Sequence, residues 1–276
     1  GGSILGTKAI YSFLKYKIKK KFIFIDNLDQ EKLIKTKKNY NLKNVLFLII
    51  SKSGNTTETI VNTGFFKPFL KKSNTIIIAE DKNNLLANFA KEKSFKLVKH
   101  SSKIGGRYSV FSDVGMLPSY LMGLNPINFK KNIPKLFNNN VFLKESIKQI
   151  KKIKLKKFKT LIFFNYLPEL EDFLFWSQQL IAESLGKKKT GIMPVMSSAP
   201  KDHHSLLQLY LDGPRDKYFY IFSVKKNKRA KLRFNSLGKK TSFLNKKNYE
   251  NIKNAQKDAF KKALDTEKIP YREIII

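Results

Sequence analysis

The residues best equipped for chemistry lie in four short blocks. The first is Ser51-Lys52-Ser53-Gly54-Asn55-Thr56-Thr57-Glu58-Thr59, directly behind the apolar run 45–50. Hydroxyl groups and free backbone N–H groups at a strand-to-helix turn make a nest for a dianion, and the helix dipole reinforces it. In an open α/β sheet this is also where ligands gather, beyond the carboxyl ends of the strands. A Ser or Thr followed by Glu caps ordinary helices too, but so many hydroxyls around one turn exceed what capping needs. The Gly-Lys-Ser/Thr ending of a Walker loop is missing.

The second block, Gly105-Gly106-Arg107-Tyr108-Ser109-Val110-Phe111-Ser112, joins two glycines that allow close backbone approach to a permanent planar cation. In so basic a chain it also reads as a tight turn with a surface arginine. The third block runs from Gln179 to Lys187. Gln179 and Glu183 are four residues apart and share one helix face, and Gly186 reads as the helix stop. Alone, it is a helix terminus with an exposed carboxylate. The fourth, Pro200-Lys201-Asp202-His203-His204-Ser205, holds two of the three histidines ahead of an apolar helical run. Alone, it is a polar loop.

Short apolar runs alternate with longer amphipathic ones, the pattern of βα units and a parallel sheet. Strands are predicted at 22–26, 45–51, 75–79 and 95–98, and again at 161–165, 191–194, 218–224 and 271–276. A helix is predicted over 169–185, with Phe173, Trp176, Leu180 and Ser184 at helical spacing. Residues 117–132 contain Gly123 and Pro126 and read as the passage between two α/β halves, giving domains at 1–125 and 126–276. The Lys-rich stretches 151–159 and 225–231 read as solvated faces or loops. The chain opens at Gly1-Gly2-Ser3 without Met and stops at Ile276 after a β-type run, which reads as a fragment.

Composition narrows the class. A hydrophobic share of 42 % with 23 Phe supports a packed core and excludes disorder. No apolar run approaches the roughly 20 residues of a membrane-spanning helix, so no membrane role is expected, and a soluble cytoplasmic protein is the plain reading. With no cysteine there is no disulfide framework, thiol nucleophile or thiolate metal site. The net charge of +34 raises nucleic-acid binding as an alternative. However, lysine is spread along the whole chain among Asn, Ile and Phe, and arginine is scarce, so compositional bias is preferred and no specific nucleic-acid partner is expected.

The first block resembles the phosphosugar-binding loop of the sugar isomerase (SIS) domain. The opening Gly1-Gly2-Ser3 is similar to the turn before that domain's first helix in glucose-6-phosphate isomerases. The second, third and fourth blocks resemble signatures of that isomerase family, in the family's order. The resemblance implies two SIS-like domains, each a parallel β-sheet flanked by helices in a three-layer αβα sandwich. It implies aldose-ketose isomerisation of D-glucose 6-phosphate and D-fructose 6-phosphate through a cis-enediol, in glycolysis and gluconeogenesis, with no cofactor and no metal. The roles it assigns are Glu183 as proton-shuttling base, His204 as ring-opening acid and Arg107 as the cation at the enediolate. Gly2, Ser3, Ser51, Lys52, Ser53, Thr56 and Gln179 would bind substrate, Lys52 mainly through its backbone N–H. His203 stands where the family has Gln. The family's His204 equivalent serves the neighbouring subunit's active site, implying a homodimer, and a further catalytic lysine belongs to a C-terminal segment this chain does not contain. The isolated chain is therefore expected to be poorly active. A noncatalytic phosphosugar-binding module is the rival reading.

Overall fold

Apolar runs of four to seven residues form the strands, as required where both faces of a parallel sheet are covered. The computed structural model describes residues 2–131, 133–155, 158–224 and 233–276. The chain divides into two compact units, Gly1–Asn138 and Asn139–Ile276.

The first unit runs α1 (Leu5–Phe13), α2 (Gln30–Asn39), β1 (Phe47–Ile50), α3 (Thr57–Phe66), β2 (Thr75–Glu80), α4 (Leu85–Glu92), β3 (Lys96–His100), α5 (Asp113–Leu121), α6 (Pro126–Lys130) and α7 (Ile133–Phe137). Its sheet is parallel, in the order β1-β2-β3. The register pairs Ile50 with Ile78 and Glu80 with His100, so the strands finish along one carboxyl edge. Ile77 and Ala79 pack with Ile49 of β1 and with Leu86 and Ala90 of α4. Leu33 of α2 and Phe66 of α3 centre a second cluster.

Helix α5 carries Pro118, whose missing N–H leaves the Val114 carbonyl without its helical donor. The Thr7 hydroxyl of α1 donates to that carbonyl instead, at 3.3 Å. A single side chain thus repairs the helix and ties α1 to α5.

Residues 22–26, predicted as a strand, join no sheet among the described residues. Side chains hold the segment where a ladder was expected. Phe22 and Phe24 pack on Tyr11, with ring centroids 5.9 and 5.4 Å away, and Ile25 enters the Leu33–Phe66 cluster. Asp26 takes Lys8 at 3.1 Å and Lys32 at 3.6 Å. An apolar run alone does not specify strand pairing.

The second unit runs α8 (Asn140–Leu155), β4 (Thr160–Asn165), α9 (Glu171–Leu185), β5 (Met193–Ser198), α10 (Leu207–Leu211), β6 (Lys217–Ser223), α11 (Tyr249–Thr266) and β7 (Tyr271–Ile275). Its four strands are parallel, in the order β5-β4-β6-β7. Alternate residues serve opposite faces. Ile162, Phe164, Phe219 and Ile221 pack with Phe260 and Leu264 of α11. Leu161, Phe163, Tyr218 and Phe222 pack with Leu174 of α9. Each such side chain, fully buried, stabilises the fold by about 1.5–3 kcal/mol. Strand β7 is fastened by Glu273, which accepts from Ser223 Oγ at 2.7 Å, from Lys257 Nζ at 2.6 Å and from Lys261 Nζ. Burial opposes the Glu273 charge, but these three donors bring its pKa down to about 2.

The helix predicted over 169–185 is α9, preceded by a 3-10 turn at Pro168–Leu170. The strand predicted at 191–194 starts later and runs further, as β5. Of the Lys-rich stretches, 151–155 is the end of α8, while 156–157 and all of 225–231 lie outside the described residues. Both units are thus parallel sheets flanked by helices, the fold class expected from the sequence. No helix among the described residues is long and apolar enough to cross a membrane.

Candidate active site

In the first unit, residues 51–56 leave β1 at the carboxyl edge and enter α3. The ladder continues briefly past the strand: Ser51 N–H donates to Ile78 O at 3.0 Å, and Lys52 O accepts from Glu80 N–H at 2.9 Å. Gly54 then turns at φ +69°, where a side chain is strained; a Cβ there would lie 1.8 Å from Asn84 Oδ1. The loop is clamped to the start of α4, because Gly54 O accepts from Leu86 N–H at 3.1 Å and Asn55 Oδ1 from Leu85 N–H at 3.0 Å.

Thr56 occupies the N-cap of α3 but makes no side-chain cap bond. Its hydroxyl instead lies 2.7 Å from Ser51 Oγ. The helix start is therefore left without the side-chain acceptor that an ordinary N-cap supplies, while hydroxyls gather beside it. Ser53 is exposed, and its Oγ accepts from Asn55 N–H at 3.3 Å. Lys52 Nζ lies 3.6 Å from Glu80. Hydrogen bonding from Lys82, with Lys52 behind it, outweighs burial and holds the Glu80 carboxyl below the usual carboxylate range. With its ammonium paired to Glu80, Lys52 has its backbone N–H as the group to offer at the turn.

The second block leaves β3 at the same edge and forms a 3-10 turn at Gly106–Phe111. Ser109 Oγ donates to Gly106 O at 2.6 Å, and Ser112 Oγ to Ser109 O at 2.7 Å. A Cβ on Gly106 would lie 3.1 Å from Ser3 Oγ, so the turn of Gly2 and Ser3 is packed against the residue before Arg107. The Arg107 guanidinium carbon stands 4.6 Å from the Tyr108 ring centroid. The first unit thus brings Gly2, Ser3 and Arg107 into one neighbourhood, and sets Ser51, Lys52, Ser53 and Thr56 on the same sheet edge.

In the second unit, α9 runs back along the sheet from the end of β4. Gln178 Nε2 donates to Pro194 O at 2.8 Å, placing the middle of α9 beside the start of β5. Gln179 carries a buried Oε1 with no hydrogen-bond partner. Glu183 is exposed in the last turn. Gly186 ends the helix, donating to Ala182 O at 2.8 Å; a Cβ there would meet that oxygen at 2.6 Å.

His203 and His204 follow the opposite, carboxyl end of β5. The six residues of this strand span about 20 Å. Within the unit, therefore, Glu183 and His204 are not brought together; they stand at opposite sheet edges.

The two histidines differ sharply. His203 is stacked on Phe164 at 5.4 Å and 7°, and its Nε2 is 2.8 Å from Tyr166 OH. Burial pushes its pKa down, the neighbouring His204 adds to that, and Asp202 opposes. His204 is exposed. Asp202, buried beneath them, accepts from Ser197 Oγ at 2.9 Å, Ser198 N–H at 2.7 Å and Ser205 Oγ at 3.0 Å. Burial raises its pKa, but these donors more than offset it, so the carboxyl stays below its ordinary range.

Sequence reading missed Glu80, Asn84 and Asp202, which brace the loops. Asn84 had a visible signal, a capping residue ahead of the apolar pair Leu85-Leu86, and it does accept from Ala87 N–H at 2.9 Å. Glu80 and Asp202 act through contacts that local pattern does not encode.

These positions can be set against known proteins. Residues 1–201 match the family profile described as phosphoglucose isomerase. The glucose-6-phosphate isomerase of Methanocaldococcus jannaschii is 36% identical over 236 residues, covering 82% of this chain and 59% of that protein. That of Campylobacter jejuni is 30% identical over 291 residues, covering 98% of this chain and 70% of that protein. The chain thus spans about three fifths of the first of these relatives. Among solved structures, a hypothetical protein of Thermus thermophilus shares the fold with a TM-score of 0.86 at 24% identity, covering 100% of this chain and 70% of that one. A glucosamine-6-phosphate deaminase of Thermotoga maritima matches at 0.58 and 17% identity, covering 100% of this chain and 73% of that one. The matched stretch contains the loop at Ser51, the turn at Arg107 and the helix bearing Gln179 and Glu183, and on that evidence the chain belongs to the phosphoglucose isomerase family.

Proposed function

We propose that the protein to which this chain belongs interconverts D-glucose 6-phosphate and D-fructose 6-phosphate. The observation that carries the reading is the loop at residues 51–56, whose hydroxyls and uncapped helix start form an anion seat at the carboxyl edge of a parallel sheet. That seat anchors the 6-phosphate through Ser51, Ser53 and Thr56 and the backbone of Lys52, so remote binding energy orients the sugar carbons. Gly2 and Ser3 complete the sugar contacts at the Arg107 turn, and Gln179 helps position the sugar hydroxyls.

In this reading His204 protonates the ring oxygen and opens the sugar. Glu183 removes the proton from C2 of the aldose and returns it to C1. The electron pair of the C–H bond forms the C1–C2 double bond of the enediol, and Arg107 stabilises the charge that builds on oxygen. No electrons leave the substrate, so the proton transfers balance without an oxidant.

Within one chain the last turn of α9, with Glu183, and the segment after β5, with His204, lie toward opposite ends of that strand. If both act on one sugar they come from two copies, and the homodimer with His204 supplied in trans follows from the proposal. His203, half-buried and stacked on Phe164, has the structural role. With the chain covering about three fifths of a curated relative, the assay belongs on the full reading frame.

Glu183→Gln in that protein is expected to lower kcat by about 10³-fold while sugar-phosphate binding persists, as loss of a general base predicts. Retained turnover in Glu183→Gln contradicts the assignment. A folded parent that binds the sugar phosphate without converting it would instead be a phosphosugar-binding module.

A further inference from the structure

One buried polar side chain beside the candidate site has no role in the chemistry above. His100 is the last residue of β3, only 4% exposed, and pairs in register with Glu80. Its Nε2 lies 3.2 Å from Ile104 O, and its Nδ1 is buried with no partner. A carbonyl can only accept, so Nε2 carries the proton and Nδ1 presents an unused lone pair. A position filled for packing alone is better served by an apolar residue, because a buried acceptor without a donor is unfavourable. What the imidazole contributes here is the bond made by its other nitrogen.

That bond closes the short segment between β3 and the arginine turn. Ile104 N–H donates to Ser101 O at 3.2 Å, folding residues 101–104 back on themselves, and Tyr108 N–H donates to Gly105 O at 2.9 Å. Ile104 is three residues before Arg107. The Ile104 carbonyl is thus a point where the strand end grips the segment leading into the arginine turn.

We propose that His100 is a positioning residue for Arg107, fixing the turn at residues 104–108 relative to the sheet edge through the Nε2–H to Ile104 O bond. The proposal rests on the isomerase reading only for its kinetic consequence. The phosphate loop at 51–56 hangs from β1, β2 and α4 and does not depend on this bond. Losing the bond should therefore loosen the cation at the reacting carbons and leave the phosphate anchor intact.

Two polar variants of the full-length protein test this. His100→Gln can place an amide N–H near the Nε2 position, whereas the shorter side chain of His100→Asn reaches only the Nδ1 position. Hydrogen exchange of the peptide spanning residues 101–112, with kcat and KM for fructose 6-phosphate, supplies the readouts. In His100→Asn, exchange at Ile104 and Tyr108 should accelerate about tenfold and kcat should fall about tenfold, with KM within about twofold. His100→Gln should stay within about threefold of the parent in both. Exchange in His100→Asn that matches the parent, or a Gln variant no better than Asn, overturns the clasp. Faster exchange with unchanged kcat in an active enzyme overturns the positioning role and leaves the isomerase reading standing. A parent without isomerase activity defeats that reading, and the exchange comparison still decides whether the clasp exists.

Discussion

The loop at residues 51–56 and the segment at 200–205 each follow a strand at its carboxyl end, yet they are held by different physics. The first is fixed through its backbone: Lys52 O, Gly54 O and the Asn55 side chain all accept from neighbouring N–H groups. Its hydroxyls are bonded to each other or lie exposed. The second is fixed through buried side chains, with Asp202 gathering three donors and His203 lying in a stack with Phe164 and Phe260. A backbone-held loop can aim its N–H groups at a ligand. A side-chain-held segment can pin one histidine in a half-buried stack while the next, His204, is exposed.

Three changes probe that contrast, and the largest effect on stability falls on the side-chain-held segment. Asp202→Ala leaves Ser198 N–H and two serine hydroxyls without their acceptor and should cost about 3 kcal/mol in thermal or denaturant unfolding. The Asp202 pKa is lowered in the folded state, so its contribution is complete above about pH 3.8 and disappears as pH falls through the lower folded value. Acid unfolding of the Ala variant should accordingly be less steep below pH 3.8.

Gly54→Ala acts on the backbone-held loop. Its Cβ meets Asn84 Oδ1 at 1.8 Å and its φ is +69°, so the loop must shift. A stability loss of about 2 kcal/mol is expected, with sugar-phosphate affinity weakened tenfold or more, read by calorimetric titration. Loss of stability with unchanged affinity would separate the loop from phosphate binding.

The smallest effect belongs to His203→Gln, which replaces the imidazole with a neutral amide. It should change stability by less than about 1 kcal/mol at pH 8, since an amide can still meet Tyr166 OH. The folded pKa of His203 is depressed below 6.5, so the parent loses stability as pH falls below 6.5, where the unfolded chain binds the extra proton. The Gln variant should lose less between pH 6.5 and 5, measured as the difference in unfolding midpoint.

The same contrast explains what was legible in the sequence. Strands β2 and β4 announce themselves because both faces are buried and the apolar run is continuous, and β1 because its short apolar run is unbroken. The Ser51–Thr56 chemistry is local, so its types and spacing can be read directly. Residues 22–26 carry the same apolar signal but spend it on Tyr11 and Leu33, which no local pattern announces. The pairing of Lys52 with Glu80 and the support of His203 by Phe164 and Phe260 join residues distant in sequence. The motif at 200–205 named both histidines, but only the fold separates the half-buried, stacked one from the exposed one.

Under the proposed function, Glu183 and His204 act on one sugar from two copies of the chain. Co-expression of the full-length Glu183→Gln and His204→Ala proteins, each nearly inactive alone, tests it most directly. Random pairing makes about half the dimers mixed, and each mixed dimer holds one site with both residues intact, so activity should return to about a quarter of the parent. Activity that stays at the level of the separate variants would contradict the shared site.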